Sequence, residues 1–279
     1  MPSEVMAGLL GAVGLYGVIR YFSRSKTIHG PEAIKWSGWE AIGIVVAVYL
    51  ASQFIGLFIA ARLANLHGLF GPAATDWLQN SSFGQFWLIL CVELVVLGLL
   101  ALFLKRRTAN VSSIGLVGRP KLIDVGYVLV GYLVYFVGYL VIITLLKSYL
   151  PSLNVDQAQQ IGFEHAKGFA LVLVLVSLVV LPPLTEEILM RGFLYSGLKN
   201  SFNRTWATLI TGVLFAAAHL QAGSGAPLLW VAAIDTFVLS FILIQLRERT
   251  GGRLWASMGL HALKNSIAFI GLFVLHFAK

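Results

Sequence analysis

The sequence predicts an all-α polytopic membrane protein with about eight transmembrane helices. Hydrophobic residues make up 58% of the chain and charged residues only 11%, whereas about 25% of a typical soluble domain is charged. Apolar runs of about 20 residues, the length that crosses a bilayer as a helix, recur along the whole sequence. The runs are continuous rather than alternating apolar and polar, which favours helical spans over a transmembrane barrel.

The apolar runs define the predicted spans in chain order. The first is interpreted as a retained span, because Glu4 precedes it and a basic segment does not. The fifth contains Pro182 and Pro183, which cannot continue the hydrogen-bond ladder of a helix. We therefore expect a kink or break there, followed by a separate helix over 184–199. The spans are predicted near residues 4–22, 40–61, 84–104, 125–146, 168–183, 205–222, 226–246 and 254–277.

The distribution of charge predicts a membrane topology. The chain has 20 Lys and Arg residues against 12 Asp and Glu, a net charge of +8. Most of these cations lie in short connections between apolar runs, as topology determinants do, so the lipid bilayer and not a nucleic acid is the expected partner. They are concentrated after the first, third, fifth and seventh spans. The positive-inside rule then predicts cytoplasmic basic loops and non-cytoplasmic termini.

The longest polar stretch, residues 147–167, divides the sequence into two predicted regions. Residues 1–165 form a four-span region without a recognisable catalytic motif. Residues 166–279 contain an unusual set of polar side chains within apolar segments. Because ionisable groups in hydrocarbon cost several kcal/mol, such residues are functional candidates by default. The candidates in this region are Glu186, Glu187, Arg191, His219, His261 and Asn265.

The spacing of these residues indicates how they can act. Glu187 and Arg191 are four residues apart and can pair, which leaves Glu186 about 100° around the helix and available for chemistry. His261 and Asn265 are also four apart and project from one helix face, where both can donate to a single oxygen. Each motif alone also has a structural explanation, as a capped helix start or as hydrogen bonds between spans. Their occurrence in one region favours a catalytic site.

Together the motifs resemble one family of intramembrane endopeptidases. The CPBP family contains the type II CAAX prenyl proteases and the bacteriocin-processing and abortive-infection proteins. The resemblance covers about residues 168–275. The matching motifs are Glu186-Glu187-xxx-Arg191, Phe215-xxx-His219 and His261-xxx-Asn265.

The resemblance implies a role for each motif residue. Glu186 and His219 are expected to activate a water molecule, and His261 and Asn265 to form the oxyanion site. The supporting positions of the motif are Glu187 and Arg191. The implied substrate is a membrane-associated protein or peptide, either a prenylated CAAX protein or a signal-like segment.

Three alternatives remain open at this point. No cofactor is favoured, but zinc could be held by Glu186, His219 and His261 with water as the fourth ligand, although the helical HExxH pattern is absent from the sequence. A non-proteolytic immunity or scaffold protein could keep the same residues. A small secondary transporter could use Glu93 and Asp235 together with Glu186.

Overall fold

The computed structural model describes residues 33–155, 162–163, 166–220 and 228–275. Within these residues the secondary structure is helical, without strands. In this described part of the chain, six helices are long and apolar enough to cross a membrane: α1 (Gly38–Leu66), α3 (Ser82–Arg106), α4 (Leu122–Tyr149), α5 (Ala170–Ser201), α7 (Trp230–Arg249) and α8 (Trp255–Val274). The prediction of an all-α polytopic membrane protein is therefore confirmed.

The six long helices coincide with all but two of the predicted spans. The predicted span 205–222 corresponds to α6 (Arg204–Ala218), an apolar helix of 15 residues that is shorter than a bilayer crossing requires. The predicted span 4–22 lies outside the described residues. A short helix that the sequence analysis did not predict, α2 (Pro72–Asn80), begins with a proline at its first turn. The number of about eight spans is thus approximate.

Large apolar side chains on the long helices face outward. Phe54 on α1 and Leu129 and Leu133 on α4 are exposed. Contiguous apolar surface of this kind is uncommon on soluble monomers. In a bilayer the same side chains contact lipid, which is as apolar as they are.

The described helices group into two compact units. Unit I contains residues 115–155, 202–220 and 228–260, and unit II contains residues 33–114, 162–163, 166–201 and 261–275. Helix α8 therefore contributes its first residues to unit I and the remainder to unit II. The division between residues 165 and 166, which rests on the polar stretch 147–167, stays a prediction.

In unit I, α7 packs against both α4 and α6. The buried core between α4 and α7 includes Tyr135, Leu239 and Leu243. At the start of α4, Asp124 accepts the backbone N–H of Lys121 and forms a two-point ion pair with Arg253, at 2.7 and 3.1 Å. This pair connects the beginning of α4 to the loop between α7 and α8.

In unit II, α1 packs along α3 and also contacts the end of α5. Trp36, just before α1, is buried, donates its indole N–H to the carbonyl of Phe193 at 3.2 Å and stacks on the ring of that residue. Gly197 on α5 lies directly against Trp36 and Ala41. The beginning of α1 thus fixes the C-terminal half of α5.

Helix α5 is irregular around the proline pair, but it does not divide into two helices as the sequence predicted. The chain stays helical from Ala170 to Ser201, so a separate helix over 184–199 does not form. The interruption takes the form of two π-helical segments, Val176–Val180 and Glu187–Leu194, on either side of the α-helical turns Leu181–Glu186. Pro182 and Pro183 occupy the first turn of those α-helical residues and have no N–H to donate to the preceding turn. Wide π turns of this kind are frequent at functional sites.

Candidate active site

The centre of the candidate site is an ion pair within α5. Glu187 and Arg191 have no exposed side-chain surface, and the guanidinium Nη1 lies 2.9 Å from Oε1 of Glu187. Two isolated charges would be very costly in this environment, but an adjacent pair with hydrogen bonds is tolerated. The i,i+4 pairing that the sequence predicted is therefore present.

His261 on α8 joins this pair. Its side chain is buried, and Nδ1 lies 3.1 Å from the same Oε1 atom of Glu187. A carboxylate oxygen accepts hydrogen bonds, so this contact places a proton on Nδ1. The carboxylate therefore orients the imidazole, as the buried carboxylate does in a catalytic triad.

The second ring nitrogen of His261, Nε2, is directed toward Glu186. Nε2 of His261 lies 3.8 Å from Oε2 of Glu186, which is too long for a direct hydrogen bond. The side chain of Glu186 is 28% exposed, yet its Oε2 atom is buried without a hydrogen-bond partner. The Oε2 atom of Glu187 is likewise buried without a hydrogen-bond partner. Both oxygens are acceptors, and buried polar atoms of this kind are normally hydrogen-bonded.

Asn265 lies one turn beyond His261 on α8. Its Nδ2 donates to the backbone carbonyl of Leu178 on α5 at 2.8 Å. One of the two N–H groups of the amide is thus engaged, and one remains for another acceptor. The predicted pairing of His261 and Asn265 on one face of a helix therefore brings both residues to α5.

His219 lies in unit I, at the C-terminal end of α6. Its Nδ1 is 2.8 Å from the carbonyl of Phe215, and its ring meets the Phe215 ring edge to face. The carbonyl can only accept, so Nδ1 carries a proton and Nε2 is the nitrogen available for chemistry. The joint action of His219 with Glu186 stays a prediction.

Glu93 is a member of this region that the motif analysis left outside the site. It is half-buried in the middle of α3, lies beside Thr185 and interacts electrostatically with Glu186. In the sequence, the signal that could have identified Glu93 is its position, since an acid within an apolar span is a functional candidate by default. Which residue it would contact depends on tertiary packing.

Asp235, the other acid within a span, has a different environment. It lies in unit I and accepts the hydroxyl of Tyr135 on α4. A hydrogen bond between two spans is a common structural use of such residues.

A metal centre is the remaining chemical alternative. Within residues 33–155, 162–163, 166–220 and 228–275, no group of three or more His, Cys, Asp and Glu side chains is placed to hold a metal ion. In unit II the nearest neighbour of the carboxylate of Glu187 is the guanidinium of Arg191, which already supplies its positive charge. The expectation that no metal is favoured, with zinc on Glu186, His219 and His261 as the alternative, stays a prediction.

Comparison with known proteins identifies the same region. Residues 168–267 match the family model described as type II CAAX prenyl endopeptidase Rce1-like. This range contains all three motifs and ends two residues after Asn265. Neither a curated protein nor a solved structure matches the chain. The family model therefore confirms the resemblance that the motifs indicated: over residues 168–267 the chain is similar to the type II CAAX prenyl endopeptidases.

Proposed function

We propose that the protein is an intramembrane endopeptidase that hydrolyses a peptide bond of a membrane-associated protein or peptide. The observation that carries this proposal is the arrangement of Glu186, Glu187 and His261 in unit II. One oxygen of each carboxylate is buried without a hydrogen-bond partner, and the imidazole contacts Glu187 at 3.1 Å and lies 3.8 Å from Glu186. A region of similarity to a peptidase family supports the general class of reaction.

In the proposed reaction Glu186 is the general base. It removes a proton from a water molecule, and the water oxygen attacks the carbonyl carbon of the scissile peptide bond. His219 assists Glu186, as the family resemblance implies. The proton then passes from Glu186 to the amide nitrogen as the carbon–nitrogen bond breaks, so that a carboxylate and an amine are released.

The charge that develops on the peptide oxygen requires preorganised donors. His261 supplies Nε2–H in its doubly protonated form, with the ring oriented by the contact of Nδ1 with Glu187. Asn265 supplies the amide N–H that is not bonded to Leu178. Arg191 holds Glu187 in place for this purpose.

The substrate and topology belong to the same proposal. A prenylated CAAX peptide is the first candidate substrate and an unprenylated membrane-anchored peptide the second. The cleavage site lies near the cytoplasmic surface, because the positive-inside rule assigns the basic loops to the cytoplasm.

The experiment compares purified wild-type protein with the Glu186→Gln variant in proteoliposomes. The probes are a fluorogenic farnesylated CAAX peptide and the same peptide anchored by a hydrophobic helix. Loss of the general base should lower kcat by about 10²–10⁴-fold without a change in melting temperature. Glu248→Gln, at the end of α7, is the matched control and should cleave at the wild-type rate.

Two outcomes would contradict the proposal. Cleavage by Glu186→Gln at the wild-type rate would remove the general base from the mechanism. A folded wild-type protein that cleaves neither probe would favour the non-proteolytic scaffold alternative.

A further inference from the structure

The carbonyl of Leu178 has no hydrogen-bond donor within its own helix. In α-helical geometry its donor would be the N–H of residue 182, and in π-helical geometry that of residue 183. Both residues are prolines and have no N–H. The remaining candidate, the N–H of Leu181, donates instead to the carbonyl of Val176. The proline pair therefore leaves an acceptor of α5 available.

Asn265 supplies the missing donor. Its Nδ2 lies 2.8 Å from the Leu178 oxygen, and both groups belong to unit II. A backbone carbonyl without a partner in hydrocarbon costs several kcal/mol, so this bond is strongly favoured. It also fixes the amide orientation, because the opposite rotamer would place two oxygens against each other.

We propose that Pro182 and Pro183 are positioning residues for Asn265. Because these two residues have no backbone N–H groups, the Leu178 carbonyl stays available to accept the hydrogen bond from the Asn265 amide. The bond leaves one N–H of Asn265 in a fixed direction and sets the orientation of the side chain one turn from His261. This inference rests on the proposed function for its catalytic consequence, since Asn265 acts there as an oxyanion donor.

The positioning is tested first through stability, independently of peptide hydrolysis. In the wild-type background Asn265→Leu removes the donor and should lower the melting temperature in detergent by several degrees. In the Pro182→Ala/Pro183→Ala background the restored backbone N–H groups reach the Leu178 carbonyl, so the same replacement should have a much smaller effect. Equal shifts in the two backgrounds would overturn the inference.

A second pair of variants needs no proline replacement. Asn265→Asp has the same shape as asparagine but, at a pH high enough to ionise it, places a carboxylate oxygen without a donor against the Leu178 carbonyl. Its melting temperature should therefore fall below that of Asn265→Leu. A melting temperature equal to that of the wild type would show that residue 265 donates nothing there, and would overturn the inference even if the double proline variant does not fold.

The catalytic consequence is tested by kinetics with the peptide that the wild type cleaves. Pro183→Ala should lower kcat by about 10- to 100-fold with KM unchanged, and should lower it no further in an Asn265→Leu background. The matched control is Pro72→Ala, because Pro72 is exposed in the first turn of α2. Equal losses from Pro183→Ala with and without Asn265 would contradict the positioning role. A wild type without hydrolysis would contradict the proposed function instead, and the thermal comparison would still decide the inference.

Discussion

His261 and Arg191 contact the same oxygen atom of Glu187. Nδ1 of His261 lies 3.1 Å from Oε1 of Glu187, and this oxygen also accepts a hydrogen bond from the guanidinium of Arg191 at 2.9 Å. The three side chains are buried. A single carboxylate therefore compensates the charge of Arg191 and orients the imidazole of His261. Any change at Glu187 should affect stability and the site together.

We expect Glu187→Gln to destabilise the protein by about 3–5 kcal/mol, because it leaves the buried charge of Arg191 without compensation. The measurement is the unfolding of the detergent-solubilised protein by denaturant or heat. The double variant Glu187→Gln/Arg191→Met should recover most of the stability, since an apolar pair of similar volume tolerates burial well. Hydrolysis should remain low in both variants because His261 loses its orienting carboxylate.

The control for this prediction is the exposed ion pair between Arg107 and Glu40. Arg107→Gln should change stability by about 1 kcal/mol at most, since solvent screens such pairs. Wild-type stability in Glu187→Gln would contradict the importance of the buried pair.

A second prediction concerns the contact of α5 with the beginning of α1. A Cβ atom at Gly197 would lie 2.6 Å from Cδ1 of Trp36 and 2.7 Å from Cβ of Ala41. Gly197→Ala should therefore cost about 1–3 kcal/mol through overpacking. Gly43→Ala on α1 is the matched control, because a Cβ there meets nothing within 4 Å. It should be neutral or stabilising by up to about 1 kcal/mol, and similar unfolding of the two variants would refute the packing argument.

A third prediction concerns the two-point pairing of Arg253 with Asp124. Lysine keeps the charge but lacks the planar fork that contacts both carboxylate oxygens. Arg253→Lys should lower the free energy of unfolding by about 1–2 kcal/mol. Arg119→Lys, at an exposed position in the same unit, should have no measurable effect. Equal stability of the two lysine variants would mean that the fork geometry is unimportant.

A fourth prediction separates the peptidase from the transporter alternative. Asp235 accepts the hydroxyl of Tyr135, and asparagine can accept the same bond. Asp235→Asn should therefore keep peptide hydrolysis close to the wild-type rate. Proton flux in proteoliposomes that depends on Asp235 would instead favour a transporter.

The structural role of that hydrogen bond has its own test. Tyr135→Phe should reduce stability by about 1 kcal/mol. Tyr127→Phe, on the same helix, is the comparison and should cost less. The measurement is again unfolding in detergent, and a larger loss for Tyr127→Phe would contradict the role of Tyr135.

Local features of the fold and site could be predicted from the sequence. The long apolar runs predicted the six long helices, and spacing alone predicted the ion pair of Glu187 with Arg191. Helix formation and an i,i+4 pair both depend on residues that are near each other in the chain. The contact of His261 with Glu187 joins residues 74 positions apart, and spacing contains no information on it. The motif resemblance indicated that these residues act together but not which atoms meet.

The proline pair shows a different limit. A proline has no N–H to contribute to the helix ladder, and this fact predicted an interruption of α5. It did not reveal that π-helical turns would absorb the irregularity while the chain stayed helical. The outcome depends on partners outside the helix, such as Asn265, which satisfies the carbonyl of Leu178.

The location of Glu187 and Arg191 on a single helix has a consequence for biogenesis. Their pairing requires only that α5 be helical, not that other spans be assembled around it. The two charges can therefore neutralise each other while the nascent segment leaves the translocon, which reduces the penalty for entering lipid. Partners contributed by separate helices would have to cross into the bilayer unpaired, and this chain avoids that step for its most deeply buried charges.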